Sequence, residues 1–321
     1  MGENASDDHA ELAGCPYVTP EPVGDDTVSG GGSAASDGAD GVVLRPESLL
    51  LTLFGAHLLG RPVLLAGTSI IDAMQRVGVS PHATRSALAR MVKKGRLTSE
   101  RRGRPVYYGL TPRSIAVLDE GYVRIWRTGA VNRHWDGRWT LLSFTLPESW
   151  QRQRHELRTH LLWAGFGPLQ GGLWIAPSSV DVERLLAGLE AGTHVRAFVA
   201  QPHQGMDVAA MVREVWDIPH LARRYERFVE RWYGGVADRA YTDPLGRQLA
   251  LQEEWRLALR HEPQLPVELL PAPWPAEEAQ QLFHRLHAAI EVQARAVAAS
   301  MFDTIPAPGG TDAATARPDQ A

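Results

Sequence analysis

Cysteine is almost missing: Cys15 is the sole thiol in 321 residues. Standing in a Gly, Ser and Asp-rich stretch, it supplies neither a disulfide framework nor a structural zinc site. There is no basic-then-apolar leader at the acidic N-terminus. The longest apolar stretch, Leu49 to Leu59, is interrupted by Thr52, Gly55 and His57 and is too short to span a bilayer. Dinucleotide-binding Gly-x-Gly-x-x-Gly, Walker loops and Gly-x-Ser-x-Gly elbows are absent, as is any repeat of solenoid period. These absences set aside secreted disulfide scaffolds, membrane spans and the commonest nucleotide and hydrolase sites, and they lead us to expect a cytoplasmic chain with no cofactor.

Positive charge is missing too, but only locally. Residues 1–40 hold nine acids and no Lys or Arg, whereas residues 41–127 hold fourteen basic residues against five acids. The remainder returns the whole to a net charge of −4. A basic block of under ninety residues inside an acidic chain is the electrostatic footprint of a nucleic-acid-binding module.

The local patterns give that module a shape. "RPESLLLTLFGAHLLG" reads as a helix with Pro46 in the first turn and Glu47 near its positive end. "GTSIIDAMQRVG" reads as a second, N-capped by Thr68 or Ser69 and ended by Gly78. Ser80-Pro81 opens a third, closed by Gly95, and only "GVS" separates helices two and three. That is helix-turn-helix spacing. Steps of 100° turn Ala83, Thr84, Ala87, Leu88 and Met91 inward. His82, Arg85, Ser86, Ala89 and Lys93 turn outward, with Arg90 on the flank. Small residues in mid-helix allow close approach to a groove, Arg85 can fork onto a guanine edge, and Arg90, Lys93 and Lys94 suit phosphates. "RLTSERRGRPVYYGLT" then reads as a hairpin whose tip carries Arg101, Arg102 and Arg104, a wing beside the recognition helix. A helix N-capped by Thr111, with Pro112 at its first position, closes the module.

From Trp135 onward, alternating strand and helix patterns give the order β-α-β-β-α-β, that of a ferredoxin-like fold. Beyond Asp207 the chain is mostly helical. The expected class is therefore α+β and multidomain. It comprises an acidic disordered tail (1–43), a winged helix-turn-helix domain (44–128), a ferredoxin-like middle domain (129–204), an α-helical C-terminal domain (205–304) and a second tail (305–321).

The blocks "RPESLLLTLFG", "RSALARMVKKGRL", "RRGRPVYYGLTP", "WDGRWTLL", "ELRTHLLWAGFGPL…GLWIAP" and "EEWRLALRHEPQLPVELLPAPWP" occur in that order. Together they resemble the PaaX family of bacterial transcriptional repressors over about Leu44 to Met301. The resemblance implies a homodimer on a palindromic DNA operator of a phenylacetate-type operon, released by an aryl-CoA thioester. It gives no short effector motif. By residue chemistry alone, Arg138, Arg158 and Arg196 could meet phosphates of a CoA-like anion, and Trp163 and Trp174 could wall an aromatic acyl pocket. The long acidic start departs from the compact family start.

A different reading stays beside this one: a metal-dependent nucleic-acid-processing enzyme. The middle domain's order is shared with CRISPR adaptation nucleases, which place a metal-binding aspartate at the end of the first strand. Here that strand runs "WTLLSFTLPE", with Asp136 ahead of it rather than at its end. His155/His160 have no carboxylate arranged as in a zinc helix, and although the spacing of His284/His287 allows a shared ion, Arg285 beside them argues against one, so neither pair is taken as a metal centre.

Overall fold

The computed structural model describes residues 44–308, His261 excepted. The acidic segment 1–43, Cys15 and the residues after Pro308 lie outside the described part.

The basic block folds as α1 (Pro46–His57), β1 (Val63–Ala66), α2 (Gly67–Gln75), α3 (Pro81–Lys93), β2 (Leu97–Arg101), β3 (Val106–Leu110) and α4 (Pro112–Tyr122). The chain-entry signals act as read. Ser80 accepts a hydrogen bond from the Ala83 amide and Thr111 one from the Ser114 amide, each with proline at the first helical position. Helix α2 differs from expectation. It starts at Gly67, has no side-chain cap, and Ser69 serves elsewhere. The Ser69 hydroxyl donates to the Met301 carbonyl and accepts from the Asp303 amide, both at 3.0 Å. After Tyr122 the helix widens into a π-turn over Val123–Thr128.

The middle of the chain forms β4 (Trp139–Phe144), α5 (Gln151–Trp163), β5 (Gly167–Pro168), β6 (Leu173–Pro177), α6 (Val182–Leu186) and β7 (Val195–Ala200). Its four strands lie in the order β5-β6-β4-β7, all antiparallel. One face of this sheet buries Leu142 and Trp174 against Leu157 and Leu161 of α5 and Leu185 of α6. The other face sends Trp139 and Ile175 into a core shared with the C-terminal helices.

Those helices are α7 (Val208–Val215), α8 (Ile218–Tyr233), α9 (Val236–Ala240), α10 (Pro244–Ala258) and α11 (Pro275–Met301). The apparently continuous helix from Ala209 to Tyr233 breaks at Trp216-Asp217, because the Asp217 side chain caps the His220 amide and Pro219 follows at a first-turn position. Trp255, Tyr225 and Phe283 are fully buried at the centre. The Trp255 and Phe283 rings stack with centroids 5.0 Å apart.

The last described residues return to the start. Thr304–Pro306, where the expected tail was to begin, form β8 and pair antiparallel with β1. The N-terminal sheet therefore has four strands, β2-β3-β1-β8. The backbone amide of Ala66 donates to Asp303 O, and that of Ala307 to Pro62 O, both at 2.8 Å. Leu245 and Leu249 of α10 and Ala298 of α11 also share a core with Leu49, Leu53 and Phe54 of α1. A helix pattern and a three-residue strand carry no sequence signal of such a long-range partner, so this joining of the first and last described elements was not legible.

A candidate nucleic-acid interface

Helix α3 is amphipathic in the sense its sequence requires. Thr84, Ala87, Leu88 and Met91 are buried, and Thr84 satisfies its hydroxyl on the Ser80 carbonyl at 3.1 Å. His82, Arg85, Ala89, Arg90, Lys93 and Lys94 are exposed, with Ser86 half-buried. The outward stripe is thus cationic at its ends and small at Ser86 and Ala89, where a backbone can approach a surface closely.

The cations are not equivalent. Glu47 of α1 accepts a hydrogen bond from Arg90 Nε at 2.7 Å and lies 3.6 Å from both Lys94 Nζ and Arg96 Nη1. Partial burial opposes its charge. The Arg90 hydrogen bond and the neighbouring positive charges of Lys94, Arg90 and Arg96 outweigh that and hold its carboxyl below the ordinary value. Arg85 and Lys93, by contrast, have no ion-pair partner among the described residues. Sequence reasoning assigned Glu47 only to the dipole of its own helix. Arg96, which follows Gly95 and lines the same cluster, was not singled out.

Strands β2 and β3 pair through Arg101↔Val106, and the tip turns over Arg102-Gly103-Arg104-Pro105. Gly103 adopts φ +65°, a left-handed conformation glycine enters without penalty. The Arg102 amide closes the turn on Pro105 O at 3.1 Å. Arg101, Arg102 and Arg104 are all exposed. Arg102 pairs with Glu100 at 2.5 Å, whereas Arg101 and Arg104 have no ion-pair partner among the described residues. From the neighbouring strand, Tyr107 Oη donates to Asp303 Oδ2 at 2.8 Å, fastening the hairpin to the residue that leads into β8.

The five residues expected around an effector are dispersed. Trp174 is 8% exposed and lies in the core beneath α5. Arg196, whose register partner is Ser143, projects from the opposite face of the sheet to Trp174, whose partner is Leu142. Arg138 precedes β4 and is exposed; from Arg196 it is five residues along the strand pair, or ~16 Å. Arg158 is exposed on α5, and half-buried Trp163 carries the Arg260 guanidinium 4.8 Å from its ring centroid. An open groove of ≈ 800 Å³ lies between α6 and β7, lined by Val180, Leu186, Val195 and Val199 together with Asp181 and Glu183. None of the five lines it. His284 and His287 pack under Trp126, with ring centroids 6.0 and 4.5 Å away. No group of three or more metal-ligating side chains occurs among the described residues. No helix among them is long and apolar enough to cross a membrane.

Three family descriptions match the chain in succession: PaaX-like protein over residues 45–114, PaaX protein central Cas2-like domain over 132–212, and PaaX-like protein C-terminal domain over 216–300. The chain belongs to the PaaX family. Within the PaaX family, the Escherichia coli K12 protein named transcriptional repressor PaaX is 29% identical over 285 residues, covering 84% of this chain and 89% of that protein. A solved structure, uncharacterized protein Rv0674 from Mycobacterium tuberculosis, superimposes with a TM-score of 0.53 at 24% identity, covering 78% of this chain and 98% of that one. That likeness concerns fold alone. The PaaX-like match at 45–114 contains α1, α3 and the β2–β3 hairpin, the elements that carry the cationic face.

Proposed function

We propose that this PaaX-family chain is a dimeric transcriptional repressor that reads double-stranded DNA through a winged helix-turn-helix. The single observation that carries the reading is local. Arg85 and Lys93 on α3, and Arg101 and Arg104 on the adjoining hairpin, are exposed cations without an ion-pair partner among the described residues. One rigid module thus offers an edge-reading arginine and several phosphate-binding groups together. The strand order β5-β6-β4-β7, with α5 and α6 between its strands, supports a ferredoxin-like middle domain. The reading is non-enzymatic: the E. coli relative is named as a repressor, and β4 ends on Ser143-Phe144, with no carboxylate there to hold a metal.

In the finer reading, two copies associate through their middle and C-terminal parts and present two α3 helices to a palindromic operator in the cytoplasm. An aryl-CoA thioester from phenylacetate-type catabolism binds the DNA-free form more tightly and so releases the operator.

The sequence offers a clean test. Its only two lysines are Lys93 and Lys94, both at the end of α3. Amine acylation read by mass spectrometry, with and without a duplex from the chain's own upstream region, should show Lys93 protected by DNA. A bound duplex that leaves Lys93 acylation unchanged would remove α3 from the interface. Adding phenylacetyl-CoA to the complex should restore acylation and the free-duplex mobility.

A further inference from the structure

The cationic face is partly neutralised from within the fold, twice, by carboxylates. Glu47 takes Arg90, Lys94 and Arg96, and Glu100 takes Arg102. Arg85, Lys93, Arg101 and Arg104 are left without an ion-pair partner among the described residues. The chain enters this region in a particular place. Leu44 and Arg45 lead directly into α1, whose second residue is the Glu47 that touches α3. The 43 residues ahead of that point hold nine acids and no Lys or Arg. Asp40 and Asp37 precede Leu44 by four and seven positions, a reach of at most ~14 and ~25 Å. The remaining seven acids lie further back among the same 43 residues.

We infer that residues 1–43 are a tethered electrostatic competitor that covers the α3 and hairpin cations whenever no well-matched duplex is bound. The inference rests on the DNA-binding reading above and adds a mode of regulation to the same face. Tethering supplies an effective concentration on the order of millimolar, so carboxylates too weak to bind in trans compete in cis. Both specific and non-specific DNA must displace the segment, so both weaken by one factor. Non-specific complexes, held at about 10⁻⁴–10⁻⁶ M by phosphate contacts alone, drop out of the working range. Operator complexes, which add base contacts, stay within it.

The experiment compares three proteins on one labelled 30-base-pair duplex of random sequence, by fluorescence anisotropy across a potassium chloride series. They are the full chain, the chain lacking residues 2–40, and the full chain with all nine carboxylates of the segment turned to amides. Matching circular dichroism melts verify that the folded part is common to all. Deletion and amidation should each raise affinity on the order of tenfold at low salt. Each should also steepen the fall of log affinity with log salt, since fewer protein carboxylates then stand in for phosphate. Equal affinities and equal slopes among the three would overturn the inference and leave DNA binding intact. Failure of all three to bind any duplex, even at low salt, would overturn the DNA-binding reading and the inference with it.

Discussion

Glu47 sits in the first turn of α1, yet its carboxylate serves α3, forty-three residues away along the chain. By holding Arg90 and Lys94 it fixes which cations of the helix are free to meet phosphate. Glu47→Gln should release up to three cations, so non-specific affinity should rise and the salt slope should steepen by about one unit per cation freed. An unchanged slope would mean that Arg90, Lys94 and Arg96 stay turned away from DNA even when released. The hairpin supplies a contrast inside a single turn. Arg104→Ala should flatten the salt slope by about one unit, whereas Arg102→Ala should do less, because Arg102 is already paired with Glu100. Equal effects would show that the Glu100 pair opens on binding. If Arg85 reads a base edge as proposed, Arg85→Ala should cost ~1–3 kcal/mol on the cognate site and relax preference at one base pair, checked by competition among single-substituted operators. The outward aim of Arg85 could be read from 100° steps alone. Glu47's role could not, because periodicity reports which side of a helix faces inward and never which distant carboxylate waits there.

At the scale of elements, the helices opened by Ser80-Pro81 and Thr111-Pro112 announced themselves, whereas β1, β8 and the break before α8 did not. Ser80-Pro81 and Thr111-Pro112 work because a side-chain oxygen meets an orphan amide within three residues, a purely local event. Strand β1 is four residues, Val-Leu-Leu-Ala, buried and without alternation, so its pattern resembles a helix's apolar face. Strand β8 exists only because β1 offers an unpaired edge. Both β1 and β8 derive their structure from partners that sequence windows do not contain. Ending the chain after Met301 removes β8, the Asp303–Tyr107 hydrogen bond and the Asp303–Ser69 cap, and uncovers Leu64 and Ala66. Hydrogen exchange of the β1 and β3 amides should then accelerate while that of α10 around Trp255 holds. The milder Asp303→Ala should cost about 1 kcal/mol. Uniform acceleration throughout the chain would show that β8 supports the whole molecule instead of the sheet it joins.

For the whole molecule, the module that carries the cationic face is mounted on α10 and α11. Arg76 at the end of α2 pairs with Asp243, the cap of α10, and a side chain at Gly246 would meet the Arg76 carbonyl at 2.6 Å. Thr52 of α1 donates to fully buried Glu253 at 2.7 Å, and Arg256 bridges Glu253 to the Ser48 hydroxyl. A module fastened at so many points moves with its helical support, so in the proposed dimer an effector would alter DNA contact most directly by changing how the two copies are spaced. One group in this seam makes it sensitive to acid. His57 of α1 is buried against the edge of Phe302 and beside Gln248 of α10, and desolvation first, then the charges of Arg295 and Arg61, push its pKa down to about 4 despite the opposing influence of the Gln248 side chain. The unfolded chain takes up that proton near pH 6.5, and the folded chain only near pH 4. The stabilisation is therefore complete above pH 6.5 and is lost as the pH falls toward 4, by about 3 kcal/mol in all. Buried Glu254 and Glu262, whose carboxyls burial pushes up, contribute with the opposite sign, so the parent's own pH curve is a mixture. Comparison with His57→Gln cancels them. Between pH 7 and pH 5 the parent should lose about 2 kcal/mol more than the variant in urea unfolding followed by circular dichroism, and parallel curves would show that the proton enters His57 without disturbing the seam.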